Sequence, residues 1–136
     1  MVEIPAGALR FRNSAPDWAW RAVIFVAFLF FGAGKLTSDP NAPWVGLFDQ
    51  AGFGQWFRYF TGLVEILGAF LVLISRTVTL GLAVLTVVLT GAILVIVIVL
   101  HRPVDVLFPV AILCALTAFW MYRRQAERPL TKSPLA

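Results

Sequence analysis

The chain has few of the side chains on which redox and metal proteins usually depend. Its 136 residues include one cysteine, Cys114, and one histidine, His101. A single cysteine excludes an intramolecular disulfide, a CxxC redox pair and a thiolate metal cage within one chain. A single histidine excludes a haem held by two histidines of one subunit. We therefore expect no metal site and no intrinsic cofactor, and a redox role would require a partner protein to carry the electrons.

Charge is also scarce. Only 13% of the residues are charged, 60% are hydrophobic and the mean hydropathy is +0.88. A soluble domain carries about 25% charged residues. The chain is therefore predicted to be an integral membrane protein in contact with lipid. Its net charge of +4 comes mainly from the two ends, which is typical of membrane orientation and does not indicate nucleic-acid binding.

Four apolar segments are long enough to cross a bilayer. They lie at about 18–36, 57–74, 78–100 and 104–122, within a transmembrane domain at 18–122. Residues 1–17 are predicted to form an N-terminal tail, and residues 123–136 a basic C-terminal tail. The turns after the second and third spans are very short, which forces their helices to run antiparallel. The sequence therefore predicts an all-α membrane protein folded as an antiparallel bundle of four transmembrane helices.

The connection between the first two spans is long and rich in aromatic residues. It reads TSDPNAPWVGLFDQAGFGQW, and its prolines and glycines bracket a segment too short to cross the membrane. We predict a short interfacial segment between helices 1 and 2 that covers one mouth of the bundle.

Lysine and arginine are distributed unevenly between the two ends of the predicted bundle. One end has Lys35, Arg58 and Arg102. The other collects the remaining eight: Arg10, Arg12, Arg21, Arg76, Arg123, Arg124, Arg128 and Lys132. Because basic residues are retained on the cytoplasmic side, both termini of this multi-pass protein are expected in the cytoplasm.

The second span carries a glutamate at its centre. In FRYFTGLVEILGAFLVLI, at 57–74, a helix would place Arg58, Thr61, Glu65 and Gly68 on one face. A carboxylate at mid-membrane costs at least ~2.5 kcal/mol on insertion scales, so it needs a partner or a water-filled cavity. Glycine on the same face lets a neighbouring helix approach closely. Glu65 is therefore the candidate catalytic residue.

Other polar residues fall at the same, non-cytoplasmic end of the bundle. Lys35 and Arg58 would lie at its rim, with Glu65 roughly 10 Å further down the helix axis. Thr61 would lie between them, and His101 ends the third span. Lys35, Arg58, Thr61 and His101 are thus candidate substrate-binding residues. This row of side chains could move a proton, bind an anionic or quinol head group, or only neutralise a buried acid.

Three segments of the sequence resemble the DoxX and DoxX-like family. They are GAGKL at 32–36, TGLVEILGAFLVL at 61–73 and TGAILVIVIVLHRP at 90–103, and the resemblance extends over about residues 19–122. It implies a small bacterial four-helix membrane protein. It links the chain to a subunit of an archaeal thiosulfate:quinone oxidoreductase and to membrane complexes of redox-stress defence. The family's motif lysine, glutamate and histidine fall on Lys35, Glu65 and His101.

The resemblance favours a subunit of a quinone-linked or redox-stress oxidoreductase complex. In that hypothesis Glu65 accepts or relays a proton from a quinol, and Lys35 or Arg58 stabilises the developing anion. A redox partner protein or a second copy of the chain would complete the complex. Two alternatives stay open: a non-catalytic membrane scaffold or assembly chaperone that binds a partner helix through Gly62 and Gly68, and a pathway for protons or small solutes.

Overall fold

A computed structural model describes residues 14–127. This part of the chain contains five α-helices and no strand: α1 (Ala15–Lys35), α2 (Pro43–Gln50), α3 (Gln55–Leu73), α4 (Val78–Leu94) and α5 (Leu107–Glu127). A π-helical turn at Val95–Val99 continues α4, and a 3-10 helix at Pro103–Val106 leads into α5. The predicted all-α fold is confirmed.

Four helical stretches are long and apolar enough to cross a membrane. They are Ala15–Lys35, Gln55–Leu73, Val78–Val99 and Pro103–Ala126. They alternate in direction, so one end of the bundle holds Lys35 (the Lys35 end) and the other holds Asp17 (the Asp17 end). Helix α1 begins before, and α5 continues beyond, the spans expected at 18–36 and 104–122. The structure therefore confirms a four-helix membrane protein.

The interior of the bundle is a single apolar cluster to which every crossing helix contributes. Phe28 of α1, Val72 of α3, Leu85 of α4 and Phe119 of α5 are each at most 2% exposed. Many large apolar side chains point outward instead, among them Phe30 at 76% exposure. An apolar exterior of this kind is stable when lipid covers it, since the surrounding hydrocarbon is as apolar as the side chains.

Helices α1 and α3 cross through glycine. A Cβ atom placed on Gly32 would lie 2.7 Å from the carbonyl oxygen of Gly62, and one on Gly62 would lie 2.8 Å from that of Gly32. The two backbones therefore touch, as small residues at a membrane helix crossing allow. The crossing brings the last turn of α1, which carries Lys35, against the middle of α3.

Helices α3 and α4 make a second close crossing. A Cβ atom on Gly81 would lie 2.9 Å from the carbonyl oxygen of Gly68, and one on Gly68 would lie 2.7 Å from the side chain of Leu85. The glycine face of α3 is thus covered by the chain's own α1 and α4. Gly62 and Gly68 therefore serve the packing of the chain's own helices.

The crossing at Gly32 gives a direct test of the packing. We expect Gly32→Ala to destabilise the protein by about 1–3 kcal/mol, because the added methyl group would overlap a backbone oxygen that cannot move aside. Gly91→Ala is the matched control within α4, since a Cβ atom there meets nothing within 4 Å. Thermal unfolding in detergent, followed by size-exclusion chromatography, measures both. Equal stability of the two variants would contradict the crossing.

Candidate functional site

The centre of the site is an ion pair between α1 and α3. The Nζ atom of Lys35 lies 2.5 Å from Oε1 of Glu65, and the two side chains are only 9% and 4% exposed. Lys35 is the last residue of α1, and Glu65 is in the middle of α3. The sequence required a partner for the carboxylate of Glu65, and in the structure this partner is Lys35. Such a contact in a low-dielectric interior is far stronger than at a surface.

Only one of the two oxygens of the Glu65 carboxylate makes a hydrogen bond within the described part of the chain. Oε2 of Glu65 is buried and has no hydrogen-bond partner within residues 14–127. Buried polar atoms are normally satisfied, and an exception calls for an explanation such as a functional role or a bound molecule. This oxygen can accept a proton or a hydrogen bond without the loss of the contact to Lys35.

Arg58 holds the backbone beside the pair. Its Nη1 donates to the carbonyl oxygen of Lys35 and, at 2.9 Å, to that of Thr37, while its Nε donates to Gln55 at 2.5 Å. The side chain is 2% exposed. A cation bonded to the last carbonyl groups of a helix also interacts favourably with the helix dipole. Arg58 therefore fixes the end of α1, and with it the position of Lys35.

A cavity of about 340 Å³ lies beside the ion pair, between the end of α1 and helices α2, α3 and α4. Its lining residues are Lys35, Trp44, Leu47, Phe48, Ala51, Phe53, Phe57, Phe60, Thr61, Val87, Val88, Gly91, Ala92, Val95 and Ile96. Lys35 is the one charged residue of this lining within residues 14–127. An apolar cavity of this size with a few polar groups is typical of a small-molecule site.

Helix α2 forms the outer wall of the cavity. Trp44 lies with its ring 4.9 Å from Nζ of Lys35, and Phe48 is buried. Gly52 and Gly54 follow with φ of 75° and 76°, a backbone conformation that glycine adopts at little cost, and this turns the chain back into α3. The short interfacial segment expected from the sequence is therefore a wall of the site.

The opposite wall includes the π-helical turn that ends α4. Val95 and Ile96, at the start of this turn, both line the cavity. A π-helical turn is rare, and it occurs frequently at functional sites because it displaces the side chains of a helix from their regular positions. Nothing in the apolar run of the third span signals this turn, so sequence reasoning did not find it.

The remaining candidates differ in their positions. Thr61 lines the cavity and donates its hydroxyl to the carbonyl oxygen of Arg58 at 3.0 Å. His101 is exposed in the turn after α4, with its Nδ1 3.2 Å from the carbonyl oxygen of Val99, and it does not line the cavity. The structure thus brings Lys35, Glu65 and Thr61 together, places Arg58 behind them, and leaves His101 outside.

A second buried cluster, at the Asp17 end, was missed by sequence reasoning. Oδ2 of Asp17 lies 2.6 Å from Nη2 of Arg21, and Oδ1 lies 2.5 Å from Nη1 of Arg123. Arg21 also donates to the hydroxyl of Ser75 at 2.9 Å. The cluster joins α1, the turn after α3 and α5. The i, i+4 spacing of Asp17 and Arg21 was the one local feature of the sequence that could have indicated this ion pair.

Four membrane-crossing helices, with a buried lysine–glutamate pair next to an apolar cavity, define a small multi-pass membrane protein with an internal cavity. The model of the DoxX-like family matches residues 19–119. The chain belongs to the DoxX-like family. Searches of curated proteins and of solved structures gave no significant match.

Proposed function

We propose that this DoxX-like protein binds a quinone in the cavity and acts as a subunit of a membrane redox complex. The observation that carries the proposal is the position of Lys35. Its ammonium group is the charged part of an otherwise apolar lining, and it is paired directly with Glu65.

The chemistry of the lining suits a quinone head group. A quinone has carbonyl oxygens that accept hydrogen bonds, and the Lys35 ammonium group can donate to one of them. Its flat ring and isoprenoid tail are apolar, and aromatic side chains such as Trp44 and Phe57 offer faces and edges for contact. Besides the ammonium group of Lys35, the hydroxyl group of Thr61 on α3 is a second polar group in the lining.

The ion pair can serve the proton chemistry of a quinol. Oxidation of a quinol to a quinone releases two protons and two electrons. Lys35 would pass a proton to Glu65 and take one from the quinol hydroxyl, so that Glu65 is the final acceptor of the first proton. The second proton would go to water, and both electrons would pass to a redox partner protein, which the proposal requires.

The proposal places the protein in the bacterial inner membrane with both termini in the cytoplasm. Of the three exposed arginines within residues 14–127, Arg76 and Arg124 lie at the Asp17 end and Arg102 lies at the Lys35 end. This excess supports the orientation through the positive-inside rule. The cavity would then open towards the outer half of the membrane. A complex with a redox partner, or with further copies of the chain, belongs to the same proposal.

A titration of decyl-ubiquinone into the protein in lipid nanodiscs tests the binding. We expect saturable quenching of tryptophan fluorescence, because Trp44 lines the cavity while the other tryptophans do not. In the Trp44→Phe variant most of the quenching should disappear. Quenching that does not saturate, or that is unchanged in Trp44→Phe, would refute the proposed site.

A further inference from the structure

We infer that the cavity selects a ligand with an anionic oxygen head group over one with a neutral head group. This inference rests on the proposed quinone site, because it specifies the charge of the ligand that this site prefers. The ligand class that fits is an alkylated hydroxyquinone, whose ring hydroxyl is a vinylogous acid and is ionised at neutral pH.

The first argument is the balance of buried charge at the Lys35 end. The buried ionisable residues described there are Lys35, Arg58 and Glu65, two cations and one anion. Arg58 donates three hydrogen bonds, two to backbone carbonyl oxygens and one to the amide oxygen of Gln55, and all three acceptors are uncharged. The Lys35–Glu65 pair is neutral as a whole and Arg58 is a cation, so an anionic ligand in the cavity meets no excess of buried negative charge.

The exposed acids of the same end contribute little negative potential inside the cavity. Asp39, Asp49 and Asp105 are all exposed to solvent. Water and salt screen charges at such positions, whereas they screen a buried group much less. The field inside the cavity is therefore set mainly by the buried residues.

The second argument is the direction of the ion pair. Lys35 is part of the cavity lining, whereas Glu65 is not. The pair consequently presents its positive end to the ligand and keeps its negative end behind it. In an apolar surrounding of low effective dielectric, the Coulomb attraction of an ammonium group to an anionic oxygen exceeds its attraction to a neutral carbonyl oxygen.

The experiment compares two probes that differ in one group. A decyl hydroxynaphthoquinone and its methyl ether have the same ring and tail, but only the first is an anion at neutral pH. We expect the hydroxyquinone to bind at least about tenfold more tightly, which corresponds to about 1.4 kcal/mol. Titration in nanodiscs, followed by the quenching of Trp44, gives both dissociation constants.

The matched variant is the double substitution Lys35→Gln/Glu65→Gln. It removes both charges together, and buried ion pairs replaced as a unit are often tolerated, whereas loss of one partner is strongly destabilising. In this variant, shown to be folded by its elution volume, the preference for the anion should fall to less than about threefold.

Three outcomes are distinguishable. Equal binding of the two probes to the wild-type protein, or a preference that the double variant retains in full, overturns the inference and leaves the quinone site standing. Binding of neither probe refutes the quinone site itself. Decanoate and decanol form an additional pair of probes: if only this pair shows saturable binding, with decanoate the tighter, the anionic ligand is a fatty acid and the assignment to a hydroxyquinone is wrong.

Discussion

Replacing Asp17 by alanine should destabilise the protein by about 3–5 kcal/mol, because it removes a buried carboxylate that is in contact with two buried arginines. Asp17 is 1% exposed, Arg21 is fully buried and Arg123 is 7% exposed. The carboxylate contacts both guanidinium groups, and the pair with Arg123 connects residues 106 positions apart in the chain. With about 5–15 kcal/mol of total stability in a typical domain, a loss of this size should remove much of the folded protein.

The matched control is Asp105→Ala. Asp105 also faces an arginine, Arg102, but at 3.9 Å and with both side chains more than half exposed. An exposed pair of this kind contributes little to stability, so we expect no measurable change. The yield of monodisperse protein and the midpoint of thermal unfolding in detergent measure both variants. If Asp17→Ala were as stable as Asp105→Ala, the cluster would not hold the bundle together.

The sequence predicted the chemistry of the site better than its geometry. A carboxylate in hydrocarbon is costly, so Glu65 was expected to have a partner. The positions of the turns placed Lys35 at the end of the bundle that also holds Arg58, above Glu65. The direct contact could not be predicted, because it joins residues 30 positions apart and depends on the crossing at Gly32 and Gly62. For the same reason the sequence did not show that Arg58 bonds the end of α1.

The cavity was beyond sequence reasoning for a different reason. The residues of α2 predicted a short segment over one mouth of the bundle, and this is confirmed. The volume beneath it depends on how far α2 lies from α3 and α4, which no periodicity encodes. The π-helical turn at Val95–Val99 also shapes the cavity, and it could not be predicted because a uniformly apolar run gives no sign of such a distortion.

The cluster at the Asp17 end was missed because the apolar segments were used to define the helix ends. Asp17 and Arg123 lie just outside those segments and were assigned to the two tails. The helices continue past the apolar run, so both side chains are carried by ordered turns of α1 and α5. Basic residues near a span end indicate orientation, and they also serve as buried partners where an acid lies on a neighbouring helix.

Filling the cavity should weaken the proposed quinone binding. Gly91 lines the cavity, and a Cβ atom there meets nothing within 4 Å, so Gly91→Phe can occupy the space without displacing the helices. Ala92→Phe fills the same wall from the adjacent position. Ala83→Phe is the matched control, because Ala83 is exposed two turns earlier on α4 and does not line the cavity.

The titration of decyl-ubiquinone into these three variants and the wild-type protein, followed by the fluorescence of Trp44, is the most direct test of the central claim. We predict that Gly91→Phe and Ala92→Phe weaken binding by at least about tenfold, equivalent to about 1.4 kcal/mol, while Ala83→Phe binds like the wild type. Wild-type affinity in folded Gly91→Phe and Ala92→Phe proteins would show that the quinone does not bind in the cavity beside Lys35.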